Sequence, residues 1–409
     1  MSSLKLLICG GGCAGPALAF WLVRLGHRVT IVERFPALRA TGAQIDFREQ
    51  GIQTVKRMGL DDVVRSKLVD EAGVGIVDST GRVIATILAN KSGKGAQSVT
   101  SEYEIMRGDL VRILYDATKN DVKYVFGKTV ESFEQDEKQV LAHFSDGTSD
   151  TFDILVGADG QGSRIRRAIN PPNTLDPYRQ LGLHMAYYFI PRADDDTNIR
   201  RTYSASEGRM IFCRTHNSTE TQVYLILKDD SSETSSIHKG TVEQQKEFWS
   251  SRFRTAGWQI DRFLEGMKTT KNFYSQEVVQ VQTDTWSKGH VVLLGDAAHC
   301  PSPFSGMGTT ASFVGAYVLA GEISRNPDNL SLAFENYDKT LRPFIDEVQN
   351  VKLNAIKLFI PDTQWGVTIL QWFAWIVCLL RIPYLVSRFS SEEKGGWPLP
   401  DYPGLNGSK

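Results

Sequence analysis

Hydrophobic and polar positions along this chain follow two rhythms, and the changes between them divide it into elements. The apolar run at 4–9 reads as a strand, 16–25 as a helix closed by Gly26, and 28–32 as a second short strand ending at Glu33. A short extended piece at 44–47 precedes a helix over 50–58 that ends at Gly59. The pattern predicts hairpin strands at 74–78 and 83–88, then a Gly/Ser/Lys-rich loop at 90–98. A helix follows over 110–119 with Asp109 as its N-cap. Strands are expected at 122–126, 129–135 and 140–144, and a buried strand runs from 152 into Ala158-Asp159-Gly160. Between 178 and 228 alternation dominates, with strands at 183–190, 201–204, 209–214 and 222–228, as in an antiparallel sheet. Helical spacing returns at 242–255 and 260–269, 272–281 is extended, and 291–294 is another buried strand. After a Pro/Gly loop at 301–308 comes a small-residue helix over 309–323 suited to close packing on a sheet. Residues 330–358 are mostly helical, broken or bent near Pro343; 367–389 are very apolar, and the tail is polar and rich in Pro and Gly.

Length and composition narrow the function classes. A chain of 409 residues suggests two interlocked domains with ample core. Forty-six basic against 47 acidic side chains leave no electrostatic footprint for nucleic acid, so no nucleic-acid partner is expected. The five cysteines are scattered without metal-ligand spacing, which predicts no metal site and suits a reducing, cytoplasmic compartment. The N-terminal apolar run is too short for a signal peptide.

The chemistry starts at the first turn. Strand 4–9 meets Gly10-Gly11-Gly12-Cys13-Ala14-Gly15, a helix follows, and the next strand ends in an acid. Strand, G-x-G-x-x-G, helix, strand and acid in this order form a dinucleotide fingerprint. Gly10 permits the tight turn, Gly12 lets backbone approach a pyrophosphate, and Gly15 lets the helix lie close to the strand. Free N–H groups of the helix's first turn face the phosphates, and Glu33 is placed to accept from a ribose. The motif alone leaves FAD and NAD open. Two more apolar strands end in nucleotide-type turns, at Asp159-Gly160 and at Gly295-Asp296.

With three such turns in this order, the chain from Met1 to about Asn350 resembles the para-hydroxybenzoate-hydroxylase-like FAD-dependent monooxygenases. Within them it is most similar to the tetracycline-inactivating and polyketide-modifying enzymes. The resemblance implies an α/β (α+β overall) architecture: a Rossmann-like FAD-binding domain interleaved with an antiparallel-sheet substrate domain and a C-terminal helical segment. The division expected is 1–75 with 100–177 and 272–345 for FAD, 76–99 and 178–271 for substrate, and 346–409 for C-terminal helices and tail. It implies FAD and NADPH as cofactors, with NADH as the alternative, O2 as co-substrate, and hydroxylation of a phenolic, aromatic or polyketide-like molecule through a flavin C4a-hydroperoxide. A monomer or weak homodimer is expected.

The same resemblance assigns Gly10, Gly12, Ala14, Gly15, Glu33 and Arg34 to the ADP end, and Arg39 to the nicotinamide cofactor. It assigns Asp46 to the flavin, Arg107 to an FAD contact, Asp159 and Gly160 to the shared FAD and pyridine-nucleotide motif, and Gly295 and Asp296 to the ribityl and ribose hydroxyls. Pro303, Gly306 and Gly308 line the flavin, and a helix beginning near Gly308 would aim its positive end at the ring. One departure stands out: the family loop commonly reads G-Q-G-x-N, whereas this chain has Gly306-Met307-Gly308-Thr309-Thr310. No protein nucleophile is required, and His184 and Arg201 are the candidates for substrate contact. Against that, His184 is equally a satisfied sheet residue and Arg201 a solvated one. Arg39, Arg164, Arg166 and Arg167 are candidates to receive the 2′-phosphate of NADPH. The competing functions are a non-oxygenating flavin reductase or halogenase, whose W-x-W-x-I-P signature is absent, and a nucleotide-binding protein without turnover. The apolar stretch 367–389 is too interrupted to span a bilayer, so it either covers the pocket or makes membrane-surface contact as a peripheral helix.

Overall fold

The computed structural model describes residues 3–40, 42–89, 103–171, 174–380 and 396–406. Its centre is a six-stranded sheet in the order Ser287–Lys288, Val291–Leu293, Ile154–Gly157, Lys5–Cys9, Arg28–Glu33, Lys123–Phe126. All neighbours run parallel except the Ser287–Lys288 edge. Parallel strands are covered on both faces, which explains why the first strand tolerates so few polar positions. Leu6, Leu7 and Ile8 are fully buried. The helices Ala14–Arg24 and Gly308–Arg325 lie against each other in this core. Small residues make the long helix pack tightly: a Cβ on Gly315 would sit 3.2 Å from Leu294 and 3.3 Å from Leu341.

The second layer is a seven-stranded sheet, ordered Tyr274–Val281, Tyr178–Pro191, Glu220–Lys228, Arg209–Thr215, Ile199–Ala205, Gly73–Val77, Val83–Leu88. It is antiparallel apart from the Ile199–Ala205 and Gly73–Val77 pair. Gly73–Val77 and Tyr274–Val281 thus belong to this sheet by hydrogen bonding, which carries it past the expected limits 76–99 and 178–271. Its two faces separate by the two-residue period of strands. On one face Ala186, Tyr188, Ile190, Tyr203, Ile211 and Leu225 pack under Trp249, Phe253, Phe263 and Met267 of the helices Val242–Phe253 and Ile260–Thr269. On the other, Tyr187, Phe189, Phe212 and Tyr224 pack on Met106 and Ala43, over the nucleotide domain. This face is the roof of the site.

Several local expectations change. The helix expected at 110–119 is Arg107–Thr118, with Met106 at its N-cap position and no side-chain cap, and Asp109 lies inside its first turn facing Arg112 at 3.3 Å. Pro343 lies within the helix Leu330–Gln349, and the chain breaks after Gln349, before a short helix at Leu353–Leu358. The described part of the tail is built into the core. Tyr402 is 1% exposed, its ring lies over Gly321, and its hydroxyl donates to Glu322 at 2.7 Å. Gln50 donates to the Trp397 carbonyl at 2.9 Å. The loop expected at 90–98 and the stretch 381–389 lie outside the described residues.

Candidate active site

The strand ends of the six-stranded sheet converge on one seam. Gly10 has φ +119°, and a Cβ there would lie 2.3 Å from the Ala158 carbonyl oxygen. On Gly15 a Cβ would lie 2.2 Å from the Gly10 carbonyl oxygen. Both positions therefore demand glycine. Glu33 closes the turn: its Oε2 accepts from the Gly11 N–H at 2.8 Å and its Oε1 from the Phe35 N–H at 3.0 Å. The helix Ala14–Arg24 has no side-chain cap and no acid in its first turn, so its positive end is left to an anion. Arg34 and Arg39 stand over the Phe35 ring at 5.0 and 4.6 Å. Burial, reinforced by the neighbouring Arg107, lowers the pKa of Arg39.

Along the seam, Arg107 ties the turn to the next strand end. Its Nη2 lies 3.5 Å from where a Gly12 Cβ would be, and its stem lies against Gly42. It also faces Asp296, whose carboxyl is pushed up by burial and pulled down by this guanidinium. Gly295 has φ +63° and would press a Cβ to within 2.9 Å of Ala14. Asp159 Oδ2 accepts from the Arg164 N–H at 2.8 Å, while its Oδ1 is buried without a partner; Gly160 follows at φ +82°.

The far end of the seam is built by the Pro303–Ser305 turn and the long helix from Gly308, which has neither a capping side chain nor an acid in its first turn. Ser302 adopts φ +80° with its Oγ buried and unpartnered, a strained non-glycine position at the mouth of the loop. Gly306 faces Arg48 and Asp46, which pair at 3.5 Å. Burial, and then Glu104, pushes Asp46 up to about 6 against the pull of Arg48 and Arg214. Thr310, where the family loop carries an amide, accepts from the Arg48 N–H at 2.9 Å and presses on Gly51. The departure thus has a job: it pins the segment carrying Asp46 to the long helix.

The roof corrects both substrate-contact candidates. His184 is fully buried on the helix-covered face; its Nε2 donates to the Asp229 carbonyl at 2.9 Å and its Nδ1 bonds His238 Nε2 at 2.9 Å. A carbonyl only accepts, so His184 Nδ1 must accept from His238. Arg201 reaches Asp195, with Nη2 3.0 Å from its carbonyl and Nη1 3.5 Å from its carboxylate. Strand alternation places the neighbouring Arg200 on the roof face instead, over the Phe212 ring at 5.6 Å. Beside it Arg214 is buried between Glu104, which its Nη1 contacts, and Glu71 at 3.3 Å. Burial pushes Glu71 up to about 6 although Arg214 pulls it down. The Nε atoms of Arg48 and Arg200, Gln44 Nε2 and Glu71 Oε1 are buried without hydrogen-bond partners, while Arg214 Nε and Glu71 Oε2 have each other as an ion pair. Sequence alternation around 199–205 carried the signal for this cluster, but not which phase faced inward. Of the other arginines, Arg166 is wholly buried, bonding Asp176 and the Ala297 and Gln161 carbonyls, and Arg167 pairs with Asp176 at 3.1 Å. Arg166 is therefore committed to the protein's own groups, whereas Arg164 and Arg167 are exposed. Among the described residues there is no group of His, Cys, Asp and Glu that would hold a metal.

Comparison with known proteins decides what the seam holds. Residues 3–325 match the family model described as FAD binding domain. The chain belongs to that family. It is 38% identical over 427 residues to the FAD-dependent monooxygenase asL4 of Sarocladium schorii, covering 99% of both chains. It is 39% identical over 428 residues to the flavin-dependent monooxygenase eupH of a Phoma species, again covering 99% of each. Its structure superposes on the crystal structure of tetracycline destructase Tet(51) with a TM-score of 0.77, at 28% identity, covering 98% of this chain and 100% of the other. The enzyme is an FAD-dependent monooxygenase, an oxidoreductase with the mixed α/β fold of these flavoproteins. The residues present fit FAD: two uncapped helix N-termini, two glycines that allow no side chain, and an unpartnered Asp159 oxygen lie along one seam.

Proposed function

We propose that this FAD-dependent monooxygenase takes reducing equivalents from NADPH and hydroxylates an aromatic or polyketide-like small molecule bound between the roof sheet and the Gly306 loop. The single observation that carries the reading is the set of unpartnered buried polar atoms on Arg200 of the roof sheet and on Gln44, Arg48 and Glu71. Buried polar groups are normally hydrogen-bonded, so such a cluster marks a place where a polar ligand belongs. Guanidinium groups suit phenolate, enolate or carboxamide oxygens. The likeness to a structure named a tetracycline destructase supports a polyketide-like substrate.

In this reading Gly10, Gly12, Ala14, Gly15 and Glu33 hold the ADP half, and Arg107, Asp159, Gly160, Gly295 and Asp296 hold the linking sugar and phosphates. Asp46, Pro303, Gly306 and Gly308 border the ring. Bound FAD supplies hydride acceptance and oxygen activation. The chain's own part is to orient the substrate with Arg200, to exclude water with Phe212, Tyr187 and Phe304, and to place the positive end of the Gly308 helix where negative charge builds up. Arg39 and Arg164 receive the 2′-phosphate, which favours NADPH over NADH.

The test is oxygen incorporation. Purified enzyme with NADPH and isotopically heavy O2 is screened against hydroxylated aromatics and tetracycline-like polyketides, and products are weighed by mass spectrometry. One heavy oxygen atom per NADPH consumed is expected. Consumption of NADPH that yields only hydrogen peroxide with every compound would return the enzyme to the non-oxygenating reductase reading.

A further inference from the structure

Gln44 holds its side-chain amide in one sense, and the roof sheet decides which. The residue lies on the short strand Gln44–Asp46, paired antiparallel with Glu104–Met106. Residues two apart on a strand share a face, so Gln44 stands on the face of Asp46. Asp46 Oδ2 in turn lies 3.7 Å from where a Gly306 Cβ would be, beside the flavin loop. From the roof strand Glu220–Lys228, Gln222 Nε2 donates to Gln44 Oε1 at 3.1 Å. Gln222 is fully buried and its remaining groups are taken as well. Its Nε2 also reaches Met106 Sδ at 3.8 Å, and its Oε1 accepts from the Tyr224 hydroxyl at 3.1 Å. The Tyr187 hydroxyl lies 3.2 Å from the same oxygen, with its proton shared with the Gly42 carbonyl at 3.1 Å.

Counting protons gives this relay its direction. Turned over, Gln222 would set its oxygen against the Met106 sulfur, which has no proton to give, and would meet the Tyr224 proton with an NH2. Both faults vanish when the Gln222 oxygen faces the tyrosines. Its NH2 then donates to Gln44, and Gln44 answers with its oxygen. Gln44 Nε2 is thereby left as a donor, buried and without a partner. On the reading that substrate binds beneath the roof sheet, we propose that Gln44 is a specificity-determining residue whose NH2 receives a neutral carbonyl oxygen of the substrate. The enzyme then selects aromatic or polyketide-like ketones over analogues with a methylene in that place. The guanidinium groups of Arg48 and Arg200 suit a charged oxygen, whereas the amide carries no charge and its match is a carbonyl. An analogue without that oxygen leaves the donor buried and unpaired, which is what makes such a contact discriminate.

The test is equilibrium dialysis of the full-length, FAD-loaded enzyme without NADPH, using two probes that differ only in the carbonyl, para-hydroxyacetophenone and para-ethylphenol. Wild type should bind the ketone about 10-fold more tightly. Gln44→Met should lose that preference by weakening the ketone about 10-fold, with the ethylphenol unchanged. A residue that only shaped the pocket would move both probes together. FAD content should match wild type. The proposal is overturned if wild type binds the two probes alike or binds neither, and equally if Gln44→Met keeps the preference or weakens both probes by the same factor. Loss of FAD from Gln44→Met would give the donor to the flavin and overturn it too. Turnover does not enter the measurement, so the two readings fail separately. A preference that depends on Gln44, found while no compound takes up oxygen, would sink hydroxylation and leave Gln44 in its role.

Discussion

The two faces of the seven-stranded sheet are made by the same strands, yet they obey different rules. On the helix-covered face the polar groups of His184, His238, Ser275 and Trp249 all have partners, and the buried Tyr188 hydroxyl is left without one. Asp229 carbonyl, His184, His238, Ser275 and Trp249 form a continuous hydrogen-bonded chain, with His238 Nδ1 to Ser275 Oγ at 2.9 Å and Trp249 Nε1 to Ser275 Oγ at 2.8 Å. On the roof face, a few ångströms through the sheet, charges crowd together and several polar atoms are left unpartnered. A saturated network holds elements together; the unsaturated groups of the roof are, in the function proposed above, where substrate binds. The pair Arg200 and Arg201 makes the point in two residues. Consecutive on one strand, one faces the seam and the other a surface aspartate.

The largest test of this contrast is Arg214→Ala. It leaves Glu71 and Glu104 buried without their cation, and breaking one side of such a group costs about 3–5 kcal/mol. Urea unfolding should show that loss; a change under about 1 kcal/mol would mean the carboxyls are already compensated otherwise.

Next in size, Arg200→Ala removes a charge-assisted hydrogen bond worth about 1.5–3 kcal/mol, so KM should rise about 10- to 150-fold with kcat little changed. FAD content should hold. Unchanged kinetics on the substrate found by the oxygen-incorporation screen would dissolve the roof reading.

His184→Phe is the mirror experiment on the covered face. It strands the His238 N–H and the Asp229 carbonyl, at about 1–3 kcal/mol of stability, with KM unaffected. A KM effect as large as that of Arg200→Ala would erase the distinction between the faces.

A pH series sharpens the picture further. Glu71 has its pKa raised in the folded state to about 6, so the native state holds a proton the unfolded chain has released. Its contribution to stability is full below the ordinary glutamate range and is lost as pH rises to about 6. Glu71→Gln should flatten the fall in stability over that window, measured by chemical unfolding at successive pH values. An unchanged slope would place the proton elsewhere.

The smallest expected effect is that of Arg201→Ala. Its contacts to Asp195 are surface ones, worth under about 1 kcal/mol, and neither KM nor flavin content should move.

Much of the nucleotide half was legible in the sequence because its determinants are local. Gly10 and Gly15 are demanded by backbone contacts within the turn and strand ends, and the apolar strand, turn and helix around them are contiguous in the chain. The order of three strand ends with nucleotide turns, together with the family resemblance it carries, pointed to Asp159 and Asp296 beside Gly12 and Arg107. The small residues of the helix from Gly308 likewise announced close packing, and the structure supplies it.

What the chain by itself could not determine is direction across distance. Alternation from 199 to 205 says that Arg200 and Arg201 lie on opposite faces, but not which face meets the flavin loop. That depends on which side the helices Val242–Phe253 and Ile260–Thr269 cover, a choice made only when the layers pack. The same holds for Tyr402 over Gly321, about 80 residues apart, where a polar-looking tail closes the core. It holds for Thr310 too, whose grip on the Arg48 backbone links segments 262 residues apart. Local sequence dictated turns, periods and the seam of glycines, since those energies act between neighbours. Facing, partnering and exposure, including the apolar side of the helix Gln364–Leu379 that is turned toward water, came from long-range packing, where burial of whole layers outweighs any single side chain's preference.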